Sequence, residues 1–536
     1  MKSDVLKMLK KEKEKTAFGL LFLVMAVYYA YRMFELTPWY DELYTYYYFI
    51  SRGPVYAAIH WPLPNNHVGY SVLSGFLDFL GNPYIGLRGI SYLCALANMV
   101  LLFTIGRRFL TKGLSFVAVL LYISLNLVNQ LAVQGRGYTL GVTCYLTAFL
   151  CLIHICTEKE DKRRYYIIFA LSLVLALYTL TSDVYFVIPI CLTGGIYLLY
   201  GGISEVREKG VKRKESIFFK KLIKLIAASF AAALMTVGLY TVIWLAIGSN
   251  LLVKEEAGAY FGMGHVEVIL KAPFKAIGTG MEYMLATPYI QSVERAGFLK
   301  RLFAWFQNLF QLYYDGLSAV IFVLFLSGVV ILAFRTTSGV KNREKDTLLL
   351  PIFLFMGIVC TPLFLLIQCA LPYYRVFVYG GVLLALLIVY FIQQLWEKAV
   401  PKAAKIIKDV FITGIMLLAG YYFFFTGYSG QYGMREYEIQ DALSYVDWQE
   451  VHNPCVTDCT QQYLIKFLYD ITCENTQIEG ADMVLLDKKM LDPDYQEMEW
   501  EFYHYYATIP WDYINGSMET VYENESFVLF IKKNNV

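Results

Sequence analysis

The feature that most constrains this chain is a series of apolar segments, each roughly 20 residues long, that recur along its length. A helix of that length crosses about 30 Å of hydrocarbon, and in lipid only helices and closed barrels satisfy their own backbone hydrogen bonds. With 57% hydrophobic and 17% charged residues among 536, the chain is also too apolar for an ordinary soluble protein. The sequence therefore predicts an all-α polytopic membrane protein.

Eleven segments fit this pattern: 16–34, 86–105, 113–130, 138–155, 165–180, 185–200, 222–247, 319–333, 348–369, 376–395 and 410–425. The basic connections between them all fall on one side of the membrane, and so does the lysine-rich start, 1–15. The positive-inside rule places that side in the cytoplasm. We therefore expect a multi-pass plasma-membrane protein with a cytoplasmic amino terminus and an uncleaved first segment.

The longer polar segments fall on the opposite, outer side. A first outer loop is expected at 35–85 and a second at 250–318, where apolar residues recur at helical spacing and predict amphipathic surface helices. These loops complete a transmembrane domain, 1–427. Residues 428–536 are polar, alternate strand-like and helix-like patterns, and predict a small extracytoplasmic α/β domain.

Several features narrow the function. The net charge of +2 gives no electrostatic argument for nucleic acid, so we expect no such partner. Neither a Walker loop nor a GxGxxG fingerprint is present in the sequence. Three of the ten cysteines, Cys455, Cys459 and Cys473, lie in the polar tail, and their spacing leaves any disulfide pairing open.

An acidic pair, Asp41 and Glu42, follows the first apolar segment in the motif Trp-Tyr-Asp-Glu. The aromatic residues before it are typical of headgroup depth. A carboxylate there can take a proton from an acceptor hydroxyl or hold a divalent cation, and both roles stay open, as does a solvated boundary without chemistry.

Three basic residues are expected on the same side. His67 follows Asn66 at the start of a predicted amphipathic helix, where free N–H groups favour an anion. Arg136 lies between two glycines in VQGRGY, and Arg375 lies in LPYYR. Guanidinium groups bind phosphate bidentately, although either arginine could instead reach toward lipid headgroups. Asp183 is either a second carboxylate of the site or a loop residue.

These motifs, WYDE, NNHVGYSVLSGFLDFLG, VQGRGY and PYYR, resemble in order and spacing the membrane glycosyltransferases of the C-type fold. The likeness is to the bacterial branch similar to protein O-mannosyltransferases and aminoarabinose transferases. Four positions depart from the family pattern: Val68-Gly69 replaces prolines, Gln134 replaces a glutamate, and Gly135 replaces an alanine.

The resemblance implies transfer of one sugar from a polyprenyl-phosphate donor to an envelope glycan, lipid or protein on the outer face. It implies Asp41 as the catalytic acid of the first loop, beside which Glu42 is a further catalytic candidate, and it implies His67, Arg136 and Arg375 as ligands of the donor phosphate. The expected supporting residues are Asn66, Tyr138 and Asp183. The alternative class is a transporter or flippase, against which the sequence shows neither an inverted repeat nor paired broken helices.

The topology can be tested with single introduced cysteines. A cysteine near Lys488 should react with a membrane-impermeant thiol reagent added to intact cells, and one near Lys341 should not, because only the first lies on the predicted outer side. The unaltered chain supplies the background from its ten native cysteines. The reverse labelling pattern would contradict the topology.

Overall fold

The structure is a computed structural model that describes residues 13–59, 66–111, 113–247, 270–271, 274, 297–342, 348–369, 371–398, 401–424, 434–456, 459–473, 477–491 and 509–533. Most of the second outer loop expected at 250–318 lies outside these residues, and so do the ends of the chain.

The described residues up to 424 form a helical bundle. Its helices are α1 Lys13–Glu35, α2 Tyr40–Thr45, α3 Pro54–Ile59, α4 Val68–Asp78, α5 Pro83–Phe109, α6 Leu114–Ile123, α7 Asn126–Leu131, α8 Tyr138–Thr157, α9 Arg163–Thr179, α10 Val184–Lys209, α11 Ile217–Ile247, α12 Phe298–Tyr313, α13 Ser318–Asn342, α14 Leu349–Gln368, α15 Gly380–Lys398 and α16 Pro401–Phe424. A π-helical turn, Tyr46–Ile50, continues α2, and short 3-10 turns occupy Thr181–Asp183 and Tyr374–Phe377.

Eight helices of the described residues are long and apolar enough to cross a membrane: α1, α5, α8, α10, α11, α13, α14 and α15. The other predicted segments are also helical, but 113–130 is split into α6 and α7, α9 has 17 residues, and α16 begins with a lysine-rich turn. The predicted class, a helical multi-span membrane protein, is confirmed. The number of eleven crossings stays a prediction.

Burial separates central helices from peripheral ones. In α8 and α15, 78% and 67% of the apolar window is buried, whereas in α11 and α13 the values are 11% and 17%. The peripheral helices expose large apolar side chains such as Phe230 and Val330. Such surfaces are favourable only against hydrocarbon, so α11 and α13 face lipid.

The chain ends in a small sheet flanked by helices. Its elements are α17 Met434–Leu443, β1 Pro454–Val456, α18 Cys459–Tyr469, β2 Met483–Asp487, α19 Trp511–Ser517, β3 Met518–Glu523 and β4 Phe527–Lys532. The strand order is β1-β2-β4-β3, with β1 parallel to β2 and the other pairs antiparallel. Cys455, Cys459 and Cys473 form no disulfide within the part of the chain that the structure describes.

This sheet-containing segment packs on α2, the helix that carries the acidic pair. The Glu436 carboxylate accepts a hydrogen bond from the backbone N–H of Tyr40, the first residue of α2, at 3.0 Å. The Gln440 side chain is hydrogen-bonded to Thr37, and the Phe467 ring lies edge-on to Tyr46. A negative charge at a helix amino terminus is favourable, so Glu436 both satisfies an unpaired N–H and stabilises α2.

Replacing Glu436 should therefore loosen α2. We expect Glu436→Ala to lower the local stability of residues 36–50 by about 1–3 kcal/mol, because a buried N–H loses its partner. Hydrogen–deuterium exchange of the purified protein measures this as faster exchange in that segment. Glu438→Ala is the matched control on the same helix, since Glu438 is bonded to Asn524 through its backbone carbonyl. Equal exchange in both variants would contradict the prediction.

Candidate active site

A buried ion pair between Glu42 and Arg88 anchors the site. The Glu42 carboxylate receives Arg88 Nε at 2.8 Å on Oε1 and Nη2 at 2.9 Å on Oε2, and both side chains are 1% exposed. The remaining Arg88 donors bind the carbonyls of Met33, Leu36 and Thr37 at the end of α1. Breaking such a pair leaves an uncompensated charge and costs about 3–5 kcal/mol.

Glu42 also accepts two backbone N–H groups, from Trp39 at 3.1 Å and from Gly135 at 2.5 Å. Both carboxylate oxygens are thus occupied by partners from other parts of the chain. This geometry suits a residue that holds α1, α2, α5 and the 134–137 loop together. It leaves Asp41, and not Glu42, facing the other charged groups of the site.

The glycines of the 134–137 loop allow close packing. A Cβ atom on Gly137 would clash with the Thr179 side chain and lie 3.1 Å from His67 Nδ1, and one on Gly135 would clash with Leu87. Without side chains, both glycines bring their N–H groups directly onto site residues, Gly135 onto Glu42 and Gly137 onto His67. Arg136 is held between these two contacts.

Arg136 is almost fully buried, with 2% of its surface exposed. Its Nη1 donates to the Thr45 hydroxyl at 2.6 Å and to the backbone carbonyl of Asp41 at 3.2 Å, and its Nη2 lies 3.0 Å from His67 Nε2. These contacts attach the guanidinium to α2 on the same turn as Asp41. The Arg136 guanidinium is therefore held by contacts with α2 and with His67 at the start of α4, and it is shielded from solvent.

His67 is the N-cap residue of α4, but its side chain makes no capping bond. The N–H of Gly137 approaches Nδ1 at 2.8 Å and Arg136 Nη2 approaches Nε2 at 3.0 Å, so donors face both ring nitrogens although a neutral imidazole can accept from only one of them. Burial lowers the pKa of His67 well below its ordinary value, and the charges of Arg136 and Arg375 lower the pKa further. The imidazole is therefore neutral near pH 7.

Arg375, which comes from a segment late in the sequence, completes the site. Its Nη2 lies 3.3 Å from Asp41 Oδ2, and its Nε donates to the Tyr138 hydroxyl at 2.8 Å. The guanidinium lies over the rings of Trp39, at 5.0 Å, and Tyr373, at 4.6 Å. Asp41 and Arg375 keep 19% and 15% of their side-chain surface exposed, so this pair is the accessible part of the site.

Helix α12 holds the short segment that carries Arg375. The Trp305 indole donates to the carbonyl of Pro372 at 3.1 Å and stacks on Tyr374, and Asn308 donates to the Tyr374 hydroxyl at 3.2 Å. These contacts bury one face of an amphipathic helix, as its spacing predicts. The position of Arg375 thus depends on α12.

The expected supporting residues have three different environments. Tyr138 lies in the site, between Arg375 and the His67 ring. Asn66 is buried and fixes the loop by donating to the Ala57 carbonyl and accepting from Ser71. Asp183 is 4% exposed, has its Oδ2 packed against Gly141, and forms no hydrogen bond or ion pair with the acidic pair or the arginines among the described residues.

The donor set of the site does not fit a metal ion. Within the described residues no group of three His, Cys, Asp or Glu side chains is arranged to hold a metal. Asp41 lies between two guanidinium groups, whose charge opposes a cation, and both oxygens of Glu42 are already bound. No step below uses a metal ion.

Sequence reasoning gave no role to Arg88, Thr45 or Trp39. A signal for Arg88 exists, because a charged residue inside an apolar segment needs a buried partner. The nearby acidic pair contains such a partner. Thr45 and Trp39 are recognisable only from the three-dimensional contacts.

Fold and site together define a class: a polytopic helical protein with an acid in its first loop, arginines from two later loops and a small terminal sheet. This is the arrangement expected from the resemblance to membrane glycosyltransferases of the C-type fold. Residues 67–219 match the family described as dolichyl-phosphate-mannose-protein mannosyltransferase. The matched region contains His67, Arg136 and Asp183. No curated relative matches the sequence.

Two solved structures are similar to this chain. ArnT from Cupriavidus metallidurans, bound to undecaprenyl phosphate, is 11% identical with a TM-score of 0.50, and the match covers 97% of this chain and 99% of that chain. The archaeal oligosaccharyltransferase AglB from Archaeoglobus fulgidus, in complex with an inhibitory peptide and a dolichol-phosphate, is 11% identical with a TM-score of 0.47, over 90% of this chain and 70% of that chain. The likeness to ArnT shows the fold, and the predicted C-type resemblance is confirmed.

The depressed pKa of His67 makes stability depend on pH. Below about pH 6.5, His67 of the unfolded chain binds a proton, whereas the buried His67 of the folded protein does not. The free energy of unfolding should therefore fall as the pH drops, by up to about 1.4 kcal/mol per pH unit. The charged groups facing the ring are Arg136 and Arg375, which stay protonated throughout.

Thermal unfolding of the detergent-solubilised protein between pH 5 and 7.5 checks this. His67→Gln should flatten the pH dependence relative to the unaltered protein. His452→Gln, at an exposed histidine, is the matched control and should not. Identical slopes for the unaltered protein and His67→Gln would refute a buried neutral imidazole.

Proposed function

We propose that this protein is a membrane glycosyltransferase that moves one sugar from a polyprenyl-phosphate donor to an acceptor hydroxyl or amine on the extracytoplasmic face. The observation that carries the proposal is the placement of Asp41. It is the partly exposed carboxylate of the site, 3.3 Å from Arg375, with Arg136 bound to its own backbone carbonyl. A base and two cations therefore share one small region.

The chemistry of the transfer needs these groups. The acceptor oxygen or nitrogen forms a bond to the anomeric carbon of the sugar, and Asp41 takes its proton. The bond between that carbon and the phosphate oxygen breaks, and its electron pair leaves with the polyprenyl phosphate. Arg375 and Arg136 stabilise the charge that develops on the leaving phosphate.

The contact between His67 and Arg136 supports a phosphate at this position. Donors approach both ring nitrogens of His67, the Gly137 N–H at Nδ1 and Arg136 Nη2 at Nε2, and a neutral imidazole can accept from only one of them, so at the other nitrogen two donors face each other. Neighbouring donors are favourable when they share an acceptor oxygen, and phosphate offers several. The role proposed for His67 is therefore that of a neutral donor rather than a second cation.

An apolar cleft near the Arg375 segment suits the lipid part of such a donor. The cleft lies between the start of α12 and the end of α14, and it is lined by Phe298, Leu299, Leu366, Ile367 and Cys369. Leu299 and Ile367 are more than half exposed. A polyprenyl tail lying there would cover apolar surface while its phosphate reaches the arginines.

The comparisons support the same class of donor. ArnT, which shares the fold, was solved with undecaprenyl phosphate bound. The family matched by residues 67–219 is named for a dolichyl-phosphate-mannose donor. Both descriptions name a polyprenyl phosphate, and we propose that this chain uses such a lipid phosphate as the carrier of its sugar.

Replacing the base tests the proposal. We expect Asp41→Asn, which keeps shape but loses charge, to lower turnover by about 100-fold or more while donor is still bound. The measurement is sugar transfer from purified polyprenyl-phosphate sugars by the protein in detergent, where no vesicle exists and transport cannot be scored. Asp78→Asn is the matched control, since this carboxylate is bonded to Tyr46 and lies apart from the arginines.

Two outcomes would contradict the proposal. Normal turnover in Asp41→Asn would show that Asp41 is not the base of the transfer. Inactivity of the unaltered protein with a panel of polyprenyl-phosphate sugars, together with movement of sugar-lipid across vesicles, would favour the carrier instead.

A further inference from the structure

The ion pair between Asp41 and Arg375 places the proposed base and the proposed phosphate ligand in direct contact. The 3.3 Å contact uses Arg375 Nη2 and Asp41 Oδ2. A carboxylate engaged by a guanidinium is less available to an acceptor proton, and a guanidinium engaged by a carboxylate is less available to a phosphate. The two proposed roles therefore compete for one contact.

The surroundings of Arg375 restrict how this competition can be resolved. Trp39 and Tyr373 cover the faces of the guanidinium, and Tyr138 accepts from Nε. These contacts fix the plane of the group and direct Nη2 toward Asp41. An exchange of anions at Nη2 needs no movement of Arg375 itself.

The surroundings of Asp41 allow the carboxylate to leave. Its backbone carbonyl is held by Arg136 Nη1 and the Thr45 hydroxyl, so the helix stays in place. Its side chain keeps 19% of its surface exposed, in contrast to Glu42 at 1%. Rotation of one side chain is enough to separate the carboxylate from Arg375.

We propose that Asp41 and the donor phosphate exchange at Arg375, so that binding of the donor is what releases Asp41 to act as a base. This inference rests on the proposed function and adds an order of events to it. The donor phosphate is a diester whose single negative charge equals that of the carboxylate, and it takes the Nη2 contact with the help of binding energy from the attached lipid and sugar. The freed carboxylate then accepts the acceptor proton, so donor binds before the acceptor is activated.

The exchange predicts an unusual effect of removing the base. Asp41→Asn should bind undecaprenyl phosphate about 3- to 10-fold more tightly than the unaltered protein, because the phosphate no longer displaces a carboxylate. Arg375→Ala should bind it about 10-fold or more weakly. In the double variant Asp41→Asn with Arg375→Ala, the tighter binding caused by Asp41→Asn should be absent, because the exchange that causes it takes place at Arg375.

The probe is undecaprenyl phosphate, titrated into the full-length protein in detergent and followed by a direct binding measurement. Undecaprenol, which lacks the phosphate, should bind equally to all variants. Asp78→Asn is the control for loss of a carboxylate away from Arg375 and should leave affinity unchanged. Arg375→Gln replaces Arg375→Ala if the alanine variant does not elute as a single folded species.

The binding results distinguish exchange at Arg375 from general repulsion between Asp41 and the phosphate, and both of these from failure of the proposed function. An equal gain from Asp41→Asn with and without Arg375 would show general repulsion and overturn the exchange. Unchanged affinity in Asp41→Asn would also overturn it, and both results would leave the transferase proposal standing. No binding of undecaprenyl phosphate by the unaltered protein would overturn the inference and the proposed function together.

Discussion

The arrangement of the site depends on the buried pair between Glu42 and Arg88. Arg88 on α5 itself binds backbone carbonyls at the end of α1, and through Glu42 it holds the start of α2 and the N–H of Gly135. A buried pair of this kind contributes little net stability compared with apolar packing, but it permits one arrangement of its partners. Consecutive side chains on a helix point in different directions, so fixing Glu42 inward also fixes Asp41 toward Arg375.

The 134–137 loop transmits this constraint to the rest of the site. Its two glycine N–H groups contact Glu42 and His67, and its arginine returns to α2 through Thr45. The acid, the imidazole and the guanidinium are therefore connected by backbone as well as by side chains. Such preorganisation is what a reaction with developing phosphate charge requires, because donors that are already oriented need no reorganisation during transfer.

Sequence reasoning predicted the helical membrane class and placed Asp41, His67, Arg136 and Arg375 on one side of the membrane, and the structure brings these four together. The predicted alternation of the topology makes that possible, since loops that follow every second crossing lie on the same side of the membrane. It could not separate Asp41 from Glu42, because the separation depends on Arg88, 46 residues away. It also could not foresee that Glu436, far along the chain, caps α2, or that burial keeps His67 neutral. These features arise from long-range packing, which spacing along a chain does not encode.

The two arginines differ in a way that suits different tasks. Arg136 is 2% exposed and is held by Thr45, a backbone carbonyl and His67, so it can supply a fixed positive potential but has little freedom to change partners. Arg375 has a fixed plane but a partly exposed anionic partner. Before a phosphate binds, the Asp41 carboxylate is paired with Arg375, so the charge of this exchangeable cation is compensated. Arg136 meanwhile stays fixed in place. In the proposed mechanism, the carboxylate that limits the electrostatic cost of Arg375 also supplies the base, which gives a physical reason for placing the acid beside this cation rather than apart from it.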